Sequence, residues 1–261
     1  MSDTSETEKR EYQKKLGEDF GTILYELRND WLTGLVRLKE YRVLFTDREA
    51  VGLLNAAGGA FTWDIQQIFW SDLLLHVTRL TDPATMGRHE NLSVQALPPF
   101  CERPEVQAEH PELHAMVLEL VTKAVTAADG PRKWRNRRIS HADLGLAIDP
   151  NAESLAPTSL QQVQAALDSV HAVIQAIAGQ VLNHHIINDI AVRPRAGAFL
   201  GYLKQLIKAV QYVDAIIDPG GNAAITDVGL AENFVRRVGR RPDRKEIFQV
   251  IDLREAARSS R

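Results

Sequence analysis

Lys133-Trp134-Arg135-Asn136-Arg137-Arg138-Ile139-Ser140-His141 lies near the middle of this 261-residue chain. Arg135, Arg137 and Arg138 are permanent cations, and each guanidinium is a planar fork that fits a phosphate. His141 is the side chain whose charge changes nearest neutral pH. Cations beside a proton-transfer group suit a phosphodiester, held by Arg135 and cut or formed with His141 as general acid or base. Asn136 can orient the imidazole or a ribose hydroxyl. Arg137 and Arg138 add phosphate contacts, and Trp134 offers a ring on which a base can stack. The bland alternative is a basic helix end that complements its own dipole, with Trp134 in the core.

Geometry constrains the chemistry. Six residues on an unbroken α-helix turn through ~600°, leaving Arg135 and His141 about 120° apart. Either the helix ends or bends before His141, or the groups converge between chains. Cleaving RNA without a metal uses a base for the 2′-hydroxyl, a cation for the phosphorane and an acid for the leaving 5′-oxygen. One chain offers a single good imidazole here. A two-fold dimer with this run at its axis supplies two, so a homodimer is expected.

The elements that carry the run read as helices. Phe20, Ile23, Leu24, Leu27, Trp31, Leu32, Leu35, Leu38, Tyr41 and Phe45 recur at three- and four-residue steps, predicting a long first helix. Thr46 or Asp47 caps a short second one that ends before Gly58-Gly59. A third, from about Phe61 to Leu80, is apolar over most of its circumference, which places it centrally or at a partner interface. Pro83 stops it. Further helices are predicted from Pro111 to Ala128, from Thr158 or Ser159 through Leu182, and from Gly197 to Ile217. No stretch sustains period-two alternation, so the expected fold is all-α, an antiparallel helical bundle with a C-terminal helical extension. The expected organisation is a disordered stretch over 1–12, a bundle over 13–193, and a C-terminal extension with a basic tail over 194–261.

Three pieces of this chain resemble the abortive-infection branch of the HEPN superfamily. They are the long first helix with Trp31 and Tyr41, the segment Val77-Thr78-Arg79-Leu80-Thr81-Asp82-Pro83 followed by Asn91-Leu92-Ser93, and Arg135-Asn136-x4-His141 continuing into Ala142-Asp143-Leu144. The resemblance covers about residues 20–190. It implies a bundle that dimerises around a composite, metal-independent ribonuclease site without a cofactor. Arg135, Asn136 and His141 would be catalytic, leaving a 2′,3′-cyclic phosphate. Arg137, Arg138 and Trp134 stay as RNA contacts on their own chemistry, and Arg79 and Asp82, which fall in the resembling segment, are outside candidates for the site, Arg79 as an RNA contact. The setting would be phage defence or a toxin system, with an antitoxin or regulatory protein as a possible partner. The same resemblance also fits a binding or regulatory module without turnover.

Bulk properties narrow the rest. Net charge is -3 and the pI is near 6.3, so RNA contact must come from local patches rather than a generally basic surface. Arg236-Arg237, Arg240-Arg241 and Arg244-Lys245 form a second basic cluster that either tracks RNA backbone or is charged surface. The lone cysteine, Cys101, excludes an internal disulfide and fits a reducing compartment. The first ten residues lack a signal-peptide core, and no apolar run approaches ~18 residues, so a cytoplasmic protein without a membrane span is expected.

Metal chemistry is the weaker rival. His110 and His114 are four apart but show no third ligand, and His185 could pair with Asp189 beside His184. Asp72, His76 and Arg79 share a helical face, as a second shell for the site or, preferably, a salt-bridged stripe.

Overall fold

The computed structural model describes residues 3–139, 148, 155–183, 186 and 195–217, with side chains from residue 6 to residue 210. Helix α1 spans Asp3–Leu16, α2 Glu18–Phe45 and α3 Arg48–Leu80. A two-residue hairpin (β1, Thr85–Met86; β2, His89–Glu90) and a 3-10 turn, Val94–Ala96, follow. Then come α4 (Pro98–Cys101), α5 (Pro104–Glu109), α6 (Leu113–Ala127) and α7 (Asp129–Trp134). Helix α8 is Leu160–Ile177 and α9 is Arg195–Ile217. Apart from that hairpin the described residues are helical or connecting, so the protein is all-α.

Local chemistry explains several boundaries. The Asp47 carboxylate accepts from the Ala50 N–H at 2.9 Å and starts α3. Ser159 and Gln162 form a reciprocal capping box at the head of α8. Gly17 separates α1 from α2 at φ 84°, a left-handed conformation that side chains disfavour.

Two expectations change and one holds. The stretch over 1–12 was expected to lack structure, yet α1 begins at Asp3. Buried Tyr12 and Leu16 anchor it, and Lys9–Glu26 and Arg28–Glu8 ion pairs tie it to α2. The expected second and third helices are the two arms of α3, parted at Gly58. Gly58, at φ 175° and ψ 64°, is non-helical and kinks the backbone between the two arms. The segment after Pro194 is not a detached extension in its first part. The Arg195 and Ala196 N–H groups donate to the Glu40 carboxylate at 2.8 and 2.7 Å, seating the head of α9 on α2.

One core unites the bundle. Leu24, Leu27, Trp31, Leu35 and Leu38 of α2 meet Leu73, Leu74, Val77 and Leu80 of α3, with Leu113 and Val117 of α6 and Val163, Leu167, Val170 and Ile174 of α8. Each such side chain contributes ~1.5–3 kcal/mol on burial. Trp31 stacks on His171 at 4.6 Å and donates from Nε1 to the Leu167 carbonyl at 3.0 Å, locking α2 to α8. By length and composition Leu160–Leu182 could cross a membrane, but its apolar residues Val163, Leu167, Val170, Val173 and Ile174 are covered by this core.

Candidate active site

Helix α7 delivers the basic run to the C-terminal end of α3. Pro131 falls in its first turn, where a missing N–H costs little, and is buried. After Trp134 the α-helix gives way to a π-helix over Arg135–Ile139, so regular α geometry ends before His141, which is one of the two alternatives the spacing left open. Such π segments are rare and concentrate at functional sites.

Arg132 and Arg135, three residues apart, both reach Asp82. Arg135 Nη1 donates to Asp82 Oδ1 at 2.8 Å and Oδ2 at 2.6 Å, and its Nε donates to Asn136 Oδ1 at 3.0 Å. Arg132 Nη1 donates to Asp82 Oδ1, while Nη2 donates to the Thr81 carbonyl at 2.9 Å and Oγ1 at 2.8 Å. The side chains are only 19% exposed for each arginine and 12% for Asp82. One carboxylate faces two guanidiniums, so the cluster carries a surplus positive charge in a poorly solvated place, where charge-assisted contacts are strong.

The remaining residues of the run sort differently. Asn136 is exposed, with its amide oxygen on Arg135. Trp134 packs against the core and donates from Nε1 to the Ala156 carbonyl at 2.7 Å, and the Arg138 guanidinium lies 5.6 Å from its ring centroid. The stacking face foreseen for a base thus carries an arginine. Arg137 is half-buried. His141 lies outside the described residues, as do His184, His185, Asp189 and the basic cluster from Arg236 to Lys245.

Arg79 does not join Arg135. Its Nη2 donates to Asp30 Oδ1 at 2.7 Å and Oδ2 at 2.9 Å. It lines an open cleft of about 490 Å³ with Glu26, Asn29, Asp30, Thr33 and Glu90. Three carboxylates against one arginine make a poor seat for a phosphodiester.

Asp72, His76 and Arg79 bond across to α2 as well as along their own helix. Arg37 Nη1 meets Asp72 Oδ2 at 2.9 Å. His76 Nε2 lies 2.7 Å from the Asp30 carbonyl, and its Nδ1 lies 3.3 Å from Arg37 Nη1 and 3.3 Å from Arg79 Nη2. These partners assign the proton to Nε2 and leave Nδ1 as acceptor. Burial pushes the His76 pKa below the ordinary histidine value. Gly34 makes room, since a Cβ there would sit 2.6 Å from His76 Cδ2. The preferred salt-bridged stripe is therefore part of a wider network between α2 and α3.

His110 and His114 are not on one helix. His110 precedes α6, and His114 Nε2 faces Glu102 Oε1 at 3.2 Å. Among the described residues no group of three or more His, Cys, Asp or Glu is placed to hold a metal ion. Cys101 is buried, and desolvation pushes its thiol up to about 11, which suppresses the thiolate. Arg132 and Thr81 were missed by sequence reasoning, and Asp82 stood only at its margin. Their signal was the three-residue step from Arg132 to Arg135 opposite an acid at a helix stop.

A family model, HEPN AbiU2, matches residues 17–198. The chain belongs to this family. It is an abortive-infection HEPN domain, and the match runs from the start of α2 into the first turn of α9, taking in both halves of the Asp82–Arg135 cluster. No curated protein and no solved structure gives a match.

Proposed function

We propose that this AbiU2-type HEPN domain is a metal-independent endoribonuclease of a phage-defence or toxin system. The observation that carries the reading is the surplus of cation at Asp82, held where Arg135-Asn136-x4-His141 begins. Asp82 and Asn136 fix Arg135 through Nη1 and Nε. Among the described residues Nη2 has no hydrogen-bond partner, which leaves that edge for a phosphate oxygen. His141 takes the 2′-hydroxyl proton, the 2′-oxygen attacks phosphorus, and the P–O5′ bond breaks. An acid, the His141 of a second copy, protonates the 5′-oxygen. The products are a 2′,3′-cyclic phosphate and a free 5′-hydroxyl.

The second reading is a binding or regulatory HEPN module without turnover. It is favoured by the pairing itself, because Asp82 already occupies one edge of the Arg135 fork. Incubating the purified chain with RNA in EDTA separates the two. Cleavage that survives chelation, leaves cyclic phosphate ends and falls ~10²–10⁴-fold in His141→Ala supports the enzyme. An inert wild-type chain that still binds RNA supports the module, and an active His141→Ala protein removes His141 from the mechanism.

A further inference from the structure

Arg135 holds Asp82 by one nitrogen only. A carboxylate that faces a single guanidinium commonly takes two parallel N–H bonds from two of its nitrogens. Here both Asp82 oxygens rest on Nη1 of Arg135, at 2.8 and 2.6 Å. Two neighbours stand against the fuller pairing. Asn136 Oδ1 accepts from Arg135 Nε at 3.0 Å and fixes the plane of the guanidinium. Arg132 Nη1 donates to Asp82 Oδ1, so the carboxylate is shared between two arginines. Arg132 is itself fixed, because its Nη2 donates to the Thr81 carbonyl at 2.9 Å and to Thr81 Oγ1 at 2.8 Å.

We propose that Arg132 is a positioning residue for the site: by holding Asp82 Oδ1 it keeps the fork of Arg135 open. Without it, the carboxylate turns onto Nη1 and Nη2 of Arg135 together. With Nε already on Asn136, an incoming phosphate then finds a single hydrogen of Nη2. Arg132 touches no substrate in this scheme, since its own Nη1 and Nη2 are engaged by Asp82 and Thr81. The inference rests on the ribonuclease reading for what the fork receives, whereas the closing of the fork is a property of the free protein.

The substitution that tests this strands no buried group at Thr81. The Thr81 carbonyl also accepts from Gln95 Nε2 at 2.8 Å, and Thr81 Oγ1 donates to the Val77 carbonyl at 3.1 Å. Arg132→Met leaves both partnered and keeps an apolar stem in place of the arginine's own.

Affinity of the full chain for a single-stranded 2′-O-methyl RNA, which cannot be cleaved, measures the state of the fork. Arg132→Met is expected to bind about 10- to 100-fold more weakly, the worth of one charge-assisted hydrogen bond. Arg132→Lys, which can still hold Oδ1, is expected to stay near the wild type. Arg132→Met combined with Asp82→Asn is expected to recover most of the loss, because an amide offers one acceptor oxygen and releases Nη2. A purely structural Arg132 would give the opposite, a double variant worse than either single change. Lys133→Met removes the same charge from an exposed neighbour and is expected to cost far less. A crystal structure of Arg132→Met should show Arg135 Nη1 and Nη2 both on Asp82. Unchanged affinity in Arg132→Met, no recovery in the double variant, or an equal loss in Lys133→Met would overturn the inference. A wild type that binds no RNA removes the ribonuclease reading, and the crystal structure then decides alone: a fork closed on Asp82 upholds the role of Arg132, and one still held by Nη1 overturns it.

Discussion

Replacing Asp82 with Ala strips the counter-charge from Arg132 and Arg135 together. Both guanidiniums are about four-fifths covered, so little water is available to take the carboxylate's place. Removing one partner of a buried ion pair costs about 3–5 kcal/mol, mostly from the charge left behind. A domain of 150–250 residues loses about 2–4 °C of Tm per kcal/mol, so Asp82→Ala is expected to melt roughly 6–20 °C below wild type. Arg135→Lys is milder. It keeps a cation on Asp82 and the Arg132 contacts to Thr81, and forfeits one charge-assisted hydrogen bond worth about 1.5–3 kcal/mol. Thermal unfolding followed by far-UV circular dichroism, at 0.1 and at 1 M salt, measures both. The Asp82→Ala shift should persist at high salt, since partly buried pairs are poorly screened. A double-mutant cycle between Asp82→Ala and Arg135→Ala should give a coupling of at least about 1 kcal/mol. A Tm loss under about 2 °C for Asp82→Ala would falsify the claim that this carboxylate anchors the basic run to α3.

Two further outcomes follow from buried titratable groups. His76 has a folded-state pKa below its unfolded value, so the unfolded chain binds the extra proton and stability rises with pH. The His76 contribution is complete above about pH 6.5 and is lost as pH falls from there toward the lowered folded value; urea midpoints between pH 5 and 7.5 should show that slope, and a His76→Gln protein should show less of it. The Cys101 thiol, buried and pushed up to about 11, should resist a thiol reagent at pH 8 in the native protein and react at once in urea; rapid labelling of the folded chain would contradict its place in the core.

What the sequence made legible was what is local. Apolar steps of three and four marked the faces of α2 and α8, Asp47 and Ser159 are capping residues in their own right, and Pro83 ends α3 for reasons confined to its neighbours. Gly58-Gly59 marked a real break, since the backbone leaves helical geometry at Gly58 between the two arms of α3. α1 was hidden because few apolar side chains hold it, and the surface that receives them belongs to another helix. Arg135 shows the deeper limit. Its residue type and spacing spoke for phosphate, but the group it holds in the structure lies 53 residues away, and the three-residue step from Arg132 to Arg135 was the one hint of a shared acid. The two roles are compatible only if the fork is divided, with Nη1 kept by Asp82 and Nη2 turned to RNA. A lysine at 135 separates them because it keeps the charge and loses the fork. If Arg135 served only as the counter-ion of Asp82, Arg135→Lys would cleave RNA as the wild type does, at a slightly lower Tm. If the fork is divided, cleavage falls well beyond what the change in Tm accounts for.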